Sequence, residues 1–295
     1  MVISGLRNAG KTETESSVIF VQIVKNISKD KNSKSIKIWH QCVWERQTLS
    51  TLSNRYNRSI SWIRKQISDV QIYNSELAPF PVVIEADATF FNRHEGVCIF
   101  HAPKINKVLT YAFIKSETAL IYRILRDNIE STGFRILAAV IDGRKGVKEV
   151  FSDVPVQMCQ YHQLMILRRY LTMNPRLEAG KELRIISKNL CTVSRSEFEL
   201  LFAQWCNKWA NFLKERTYNI DGKWHYTHRR LRSARRSLMT NLPYLFTYQD
   251  YPELEIPNTT NYAESFHSKI KDLLRVHRGF NSALKQKIIK EILTK

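Results

Sequence analysis

From Gln47 the apolar positions recur at helical spacing. In "QTLSTLSNRYNRSISWIRKQI", Leu49, Leu52 and Tyr56 share one helical face, the pattern breaks at Asn57 and Arg58, and it resumes with Ile60, Ile63 and Ile67. Two short helices joined by a tight turn are predicted. The residues before them, 1 to about 35, are polar apart from "SSVIFVQIV", and "KNISKDKNSKSIK" reads as a loop or linker. After the Pro-containing joint "NSELAPFP" the period changes. The runs "VVIEADATFF" (82–91), "EGVCIFHA" (95–102) and "KVLTYAFIKS" (107–116) are β-rich with loop-like breaks between them, as in an antiparallel meander.

A helix, "ETALIYRILRDNIESTG", follows, and then "FRILAAVIDG", whose near-continuous apolar run marks a strand buried on both faces. A short helix near Val147, a short strand "VPVQMC" and a long helical stretch complete the order βββαβα. That order is the ribonuclease H-like one, in which the first and fourth strands are neighbours in the middle of the sheet. Residues from about 163 to 255 interrupt the sheet-based unit with an almost wholly helical pattern. It includes Phe198, Leu201, Phe202, Trp205, Trp209 and Phe212 at helical spacing, the expected core of a helical subdomain. The predicted fold is α/β: a ribonuclease H-like domain over 79–295 with this insertion, a small all-α helix-turn-helix over 47–78, and a segment of unassigned role over 1–46.

Composition narrows the chemistry. Lys and Arg number 46 against 27 Asp and Glu, a net charge of +19 on a chain that is 43% hydrophobic and so able to fold. A globular binder of polyanions is expected, nucleic acid being the commonest. The five cysteines are scattered and never form a CxxC pair, which argues against a disulfide framework and a zinc ribbon. No apolar run approaches the roughly 20 residues that span a bilayer, and no signal-peptide order opens the chain, so a cytoplasmic, membrane-free protein is expected.

The basic residues cluster. The second predicted short helix would offer Arg58, Ser61, Arg64 and Lys65 to a DNA major groove, although any helical hairpin shares its outline. In "HRRLRSARRS", Leu231, Ala234 and Leu238 form an apolar stripe that turns Arg229, Arg232 and Arg236 outward, as a phosphate-contacting face or a solvated one.

Three acids stand apart from this charge. Asp87 lies inside the first strand, and Asp142 ends the buried strand just before a Gly. An aspartate there is costly unless it meets a cation or a partner, although strand ends also favour Asp as a turn residue. Glu264 lies on a helix expected from an N-cap at Thr260 through Leu274, with Phe266, Ile270 and Leu273 buried. Ser268, Lys271 and Arg275 share its face. Three carboxylates suit two hard divalent cations, Mg²⁺ being expected. Glu85 projects to the same strand face as Asp87 and is the rival ligand.

The segments "ADATFF", "VIDGRKG", "PVQMCQYHQ", "HRRLRSARRSL" and "NTTNYAESFHSKIKDLLRVHRGF" together resemble, in order, the DDE transposases of the mutator-type (IS256-like, MULE-related) insertion-sequence superfamily. The resemblance runs from about Val82 to Phe280. It implies that Asp87, Asp142 and Glu264 are the catalytic, metal-binding triad for two Mg²⁺ or Mn²⁺ ions. It also implies that Cys159 and His162 match a Cys-x-x-His signature, acting as a packing or DNA-positioning pair. Arg229, Arg230, Arg232, Arg235 and Arg236 in the insertion and Lys271 and Arg275 beside the active site become candidates for DNA contact. The implied reaction is cleavage at element ends, the terminal inverted repeats, followed by strand transfer into target duplex DNA. The implied assembly is a dimer or larger synaptic oligomer, nucleoid-associated in a bacterium. The resemblance departs at residues 1–46, where relatives carry a Cys-rich zinc ribbon and this chain offers only His40 and Cys42, which reads as a shortened or decayed N-terminus. Two alternatives stay open: a decayed or co-opted transposase acting as a DNA-binding regulator, and a ribonuclease H-like nuclease or junction resolvase.

Overall fold

The structure, a computed structural model, describes residues 33–73 and 77–294. The apolar stretch "SSVIFVQIV" lies outside the described residues. The chain divides into two compact units, one of residues up to Asn74 together with Ile270–Ile292, the other of Ser75–Lys269 with the last three residues. This differs from the predicted domain from 79 to 295, because residues 270–292 group with the N-terminal helices. Periodicity marks a helix but not the body that it packs into.

In the helical unit, α1 (Ser33–Val43), α2 (Leu49–Tyr56) and α3 (Ile60–Asp69) bury Ile38, Trp39, Cys42, Leu52, Ile63 and Ile67. The predicted linker therefore ends as a helix, since the polar residues from Ser33 begin α1. Helix α2 starts at Thr48, whose side chain accepts from the Thr51 amide, and stops at Asn57, which takes a left-handed conformation. Helix α3 restarts at Ser59, which caps the Trp62 amide. Ile60, expected on the buried stripe, is exposed instead, as are Arg58, Ser61, Arg64 and Lys65.

The larger unit is mixed α/β. Strands β1 (Pro81–Phe90), β2 (Gly96–Ala102), β3 (Lys107–Ile114), β4 (Arg135–Ile141) and β5 (Val156–Met158) form one sheet in the order β3-β2-β1-β4-β5. The first three pair antiparallel, and β4 and β5 run parallel to β1. Alternation along β1 sends Val82, Ile84 and Ala86 into a core with Tyr122, Leu125 and Ile129 of helix α4 (Ala119–Ser131). Val83, Glu85 and Asp87 therefore share the opposite face.

The insertion has its own core. The short α5 (Val147–Val150) precedes β5, after which α6 (Gln160–Leu171), α7 (Glu178–Lys188), α8 (Arg195–Lys208) and α9 (Arg229–Leu245) enclose Phe198, Phe202, Trp205, Leu231, Ala234 and Leu238. A two-stranded hairpin, β6 (Arg216–Tyr218) and β7 (Trp224–Tyr226), interrupts the helices. Its turn signal was Asp221-Gly222, with Gly222 at φ +75°, and the strands are too short to show alternation. Three glutamines of "PVQMCQYHQ" join the insertion to the sheet. Gln157 and Gln160, both fully buried, donate to the Leu245 carbonyl at 2.9 and 2.8 Å, and Gln163 accepts from Asn241 at 2.8 Å. The Leu245 carbonyl belongs to the last turn of α9, which has no intrahelical donor, so buried amides satisfy it. The short α10 (Thr247–Asp250) leads to the final helices, α11 (Asn261–Val276) and α12 (Ser282–Leu293). No helix among the described residues is long and apolar enough to cross a membrane.

Candidate active site

Parallel pairing sets Ala86 against Ile141, and Ile141 against Met158. The next residues along the three strands are Asp87, Asp142 and Cys159, so the candidate acids and the Cys-x-x-His signature reach the same sheet end. Ligands of open α/β sheets gather at such carboxyl ends. The Cys159 amide donates to the Ile141 carbonyl at 2.7 Å, prolonging the ladder by one bond.

Asp87 is 4% exposed; its Oδ1 accepts from the Ala88 amide at 2.9 Å, and its Oδ2 lies 3.3 Å from His267 Nδ1. Asp142 accepts from the Arg144 amide at 2.9 Å, closing the turn that ends β4. Burial pushes the Asp142 carboxyl above the ordinary carboxylate range, and the Asp87 charge pushes it the same way. Glu264, in the first turn of α11, is held above its ordinary range by burial, with Asp87 and Glu85 adding to the shift and His162 and His267 opposing it. The three acids thus share one electrostatic neighbourhood. Burial pulls the His162 imidazole down, but neighbouring Cys159 and the Asp87 and Asp142 carboxylates outweigh it and carry it to about 9. The clustered acids therefore favour the protonated form of His162. Among the described residues no three His, Cys, Asp or Glu side chains converge closely enough to enclose an ion by themselves.

Two participants, His267 and Glu117, were not singled out in the sequence as part of the site. His267 follows Glu264 by three residues, a spacing that shares a helical face and could have flagged it. Glu117 accepts from the Tyr122 hydroxyl at 2.7 Å and pairs with Arg144 at 3.2 Å, and burial followed by Asp142 and Asp87 raises its carboxyl. It precedes a helix start, where acids are ordinary. Glu85, expected only as a rival ligand, is fully buried and accepts from the Ala263 amide at 3.0 Å.

Thr260 occupies the expected cap position at the start of α11, but among the described residues its side chain accepts no amide of the helix. Thr260 donates its amide and hydroxyl to Cys159 Sγ at 3.3 and 3.4 Å, while its carbonyl accepts the Glu264 amide. The insertion arginines also divide. Arg229 and Arg236 are exposed and have no protein partner among the described residues, whereas Arg230 donates to the Tyr170 carbonyl at 2.9 Å, Arg232 to the Leu213 carbonyl at 2.7 Å and Arg235 to Cys206 Sγ at 3.4 Å. Lys271 and Arg275 are exposed and belong to the helical unit, with Arg275 3.5 Å from Asp272.

The carboxylate shifts predict a pH signature. A carboxyl whose folded pKa exceeds its unfolded value binds protons preferentially in the native state, so stability falls as pH rises from about 4 through the raised value. The metal-free protein is therefore expected to melt lower at about pH 6 than at about pH 4.5, a range below that in which His162 titrates. The double variant Asp142→Asn, Glu264→Gln should lose less over the same range, and parallel melting curves would contradict the shifts. The turn itself is sensitive. Gly143 sits at φ +81°, and an added Cβ would lie 2.5 Å from Met158 Cε, a fully buried side chain. Gly143→Ala is expected to cost about 1–2 kcal/mol for the left-handed backbone alone, read as a lower denaturation midpoint, and to displace Asp142.

No protein-family model matches the chain, and no curated protein matches it by sequence.

Proposed function

We propose that this protein is a DNA transposase acting through Asp87, Asp142 and Glu264 on a ribonuclease H-like domain, of the kind found in mutator-type insertion sequences. The observation that carries the reading is the side-by-side placement of Asp87 and Asp142, each one residue past the last pair of the parallel β1–β4 ladder, with Glu264 coupled to Asp87 from helix α11. The strand order β3-β2-β1-β4-β5, with three antiparallel strands followed by two parallel ones, supports the ribonuclease H-like assignment.

The donor set fits Mg²⁺ or Mn²⁺. These hard ions prefer carboxylate oxygen, and Mg²⁺ is commonly held by one or two carboxylates plus water and substrate phosphate, so an enclosing cage of three side chains is not required. Asp87, Asp142 and Glu264 would hold the ions. When bound, a metal pair supplies an activated attacking oxygen and charge stabilisation at the leaving oxygen.

The chain's own residues would then hold the substrate. Arg144, Lys145 and Lys148, just past Asp142, line one hollow, and Arg229, Arg232 and Arg235 line another; Arg236 and Thr240 belong to both. A continuous basic surface therefore leads from the Asp142 turn along α9. Burial lowers the Lys148 ammonium, with Glu149 opposing the shift, and Lys148 donates to Asn241 Oδ1 at 3.3 Å. Phosphodiester backbone is the complementary partner. The exposed Arg58, Ser61, Arg64 and Lys65 of α3 would add contacts to element ends, and two ends would be held by a dimer or larger assembly.

The test is cleavage and joining of labelled duplex carrying the repeats that flank the gene, with Mg²⁺ or Mn²⁺. Metal-dependent nicking and strand transfer are expected. Binding without cleavage would favour a regulator, and structure-directed cutting without joining would favour a nuclease or resolvase.

A further inference from the structure

We infer that Glu85 is a positioning residue that ties strand β1 to the first turn of α11, and that it holds no ion itself; the inference rests on the proposed active site. The first amides of a helix lack intrahelical acceptors, and a carboxylate there is favoured both as hydrogen-bond acceptor and by the helix dipole. In α11 that acceptor comes from the strand. Glu85 Oε2 accepts from the Ala263 amide at 3.0 Å, across 178 positions of sequence.

The linkage joins the neighbours of two proposed ligands. Glu85 lies two residues before Asp87 on the same strand face, and Ala263 immediately precedes Glu264. The local side chain is engaged elsewhere, since the Thr260 hydroxyl donates to Cys159 Sγ at 3.4 Å, and the Ala263 amide is taken by Glu85. A second clasp runs alongside, in which the Gln160 amide donates to the Asn258 carbonyl at 2.9 Å and Asn258 returns a bond to the Gln160 side chain at 3.0 Å.

Glu85 also lies beside His101. His101 Nδ1 lies 3.3 Å from the same Oε2, and His101 Nε2 lies 3.1 Å from Asn106 Oδ1. The His101 ring stacks on Tyr262 at 5.7 Å and packs against Phe266 at 5.3 Å, both residues of α11. Glu85 and His101 are each 0% exposed, and Glu85 Oε1 makes no hydrogen bond among the described residues. A carboxylate so enclosed, with one oxygen committed to the helix amide, orients the acids beside it.

Hydrogen exchange by mass spectrometry on the full chain tests the tether without DNA or metal. In Glu85→Met the amides of residues 261–266 should exchange about 10-fold faster than in wild type, the effect of one lost buried hydrogen bond, while those of β4 and α9 stay unchanged. Glu85→Gln keeps an acceptor oxygen and should restore most of the protection. Ala263→Pro removes the donor and leaves Glu85 in place, so it decides the question if the methionine variant does not fold. Titration with Mn²⁺ alone, followed by its spin resonance, separates the two roles. Glu85→Gln should bind as many ions as wild type, whereas Asp87→Asn should bind fewer. Unchanged exchange in the variant that removes acceptor or donor would overturn the inference, and so would a loss of bound Mn²⁺ in Glu85→Gln equal to that in Asp87→Asn. A wild-type chain that neither binds Mn²⁺ nor cuts DNA would defeat the proposed function, and the exchange measurement would still decide the tether.

Discussion

Asp87→Asn, Asp142→Asn and Glu264→Gln are each expected to lower metal-dependent DNA cleavage by about a thousandfold or more, the rate equivalent of about 4 kcal/mol of transition-state stabilisation. The expectation follows from charge. Each substitution keeps the size of the side chain and removes one anionic ligand, so the site loses attraction for a divalent ion where the negative charge of the transferring phosphoryl group must be neutralised. Folding should survive. Asp142 and Glu264 are carboxylates whose burial disfavours their ionised form, so neutral amides relieve a native-state cost above the ordinary carboxylate range. The result that would sink the triad is cleavage within about tenfold of wild type in any of the three, and the comparison is read in single-turnover assays with saturating DNA, so that weaker binding cannot mimic lost chemistry.

Reversing the charge of the groove is the second large effect. Lys145, Arg229 and Arg236 are exposed and have no protein partner among the described residues. Replacing all three with Glu should therefore leave stability within about 0.5 kcal/mol per site. DNA affinity should fall about a thousandfold at low salt, and the salt slope should shrink by about 0.9 for each phosphate that the variant no longer neutralises. The decrease should be similar for specific and unrelated duplexes, because the phosphate backbone carries no sequence information. Arg64→Glu with Lys65→Glu should instead reduce the preference for the element ends, if α3 reads bases. Equal affinities and slopes for wild type and the groove variant would remove the groove from the DNA path.

Much of this architecture was legible in the chain. Runs rich in β-branched and aromatic residues, with loop-like breaks between them, marked β1 to β3 within a residue or two. The unbroken apolar run of "ILAAVI" marked β4 as central, and the polar residue ending it marked Asp142, since only a strand covered on both faces tolerates such a run. The helix interruption at Asn57 and the buried stripe of Leu231, Ala234 and Leu238 followed from the same logic.

What tertiary structure alone decided was partnership. Glu85 and Asp87 occupy equivalent positions on one strand face, and only the arrival of α11 makes one of them a helix acceptor while the other meets His267. Thr260 has the signature of a cap, yet a cysteine from the end of β5 takes its hydroxyl. The five arginines of "HRRLRSARRS" look alike, and neighbouring carbonyls and a thiol engage three of them while Arg229 and Arg236 have no protein partner among the described residues. Periodicity records how much of each element is buried, which a local pattern can encode. Which donor meets which acceptor across 178 positions depends on how separate elements pack, and no local pattern encodes that.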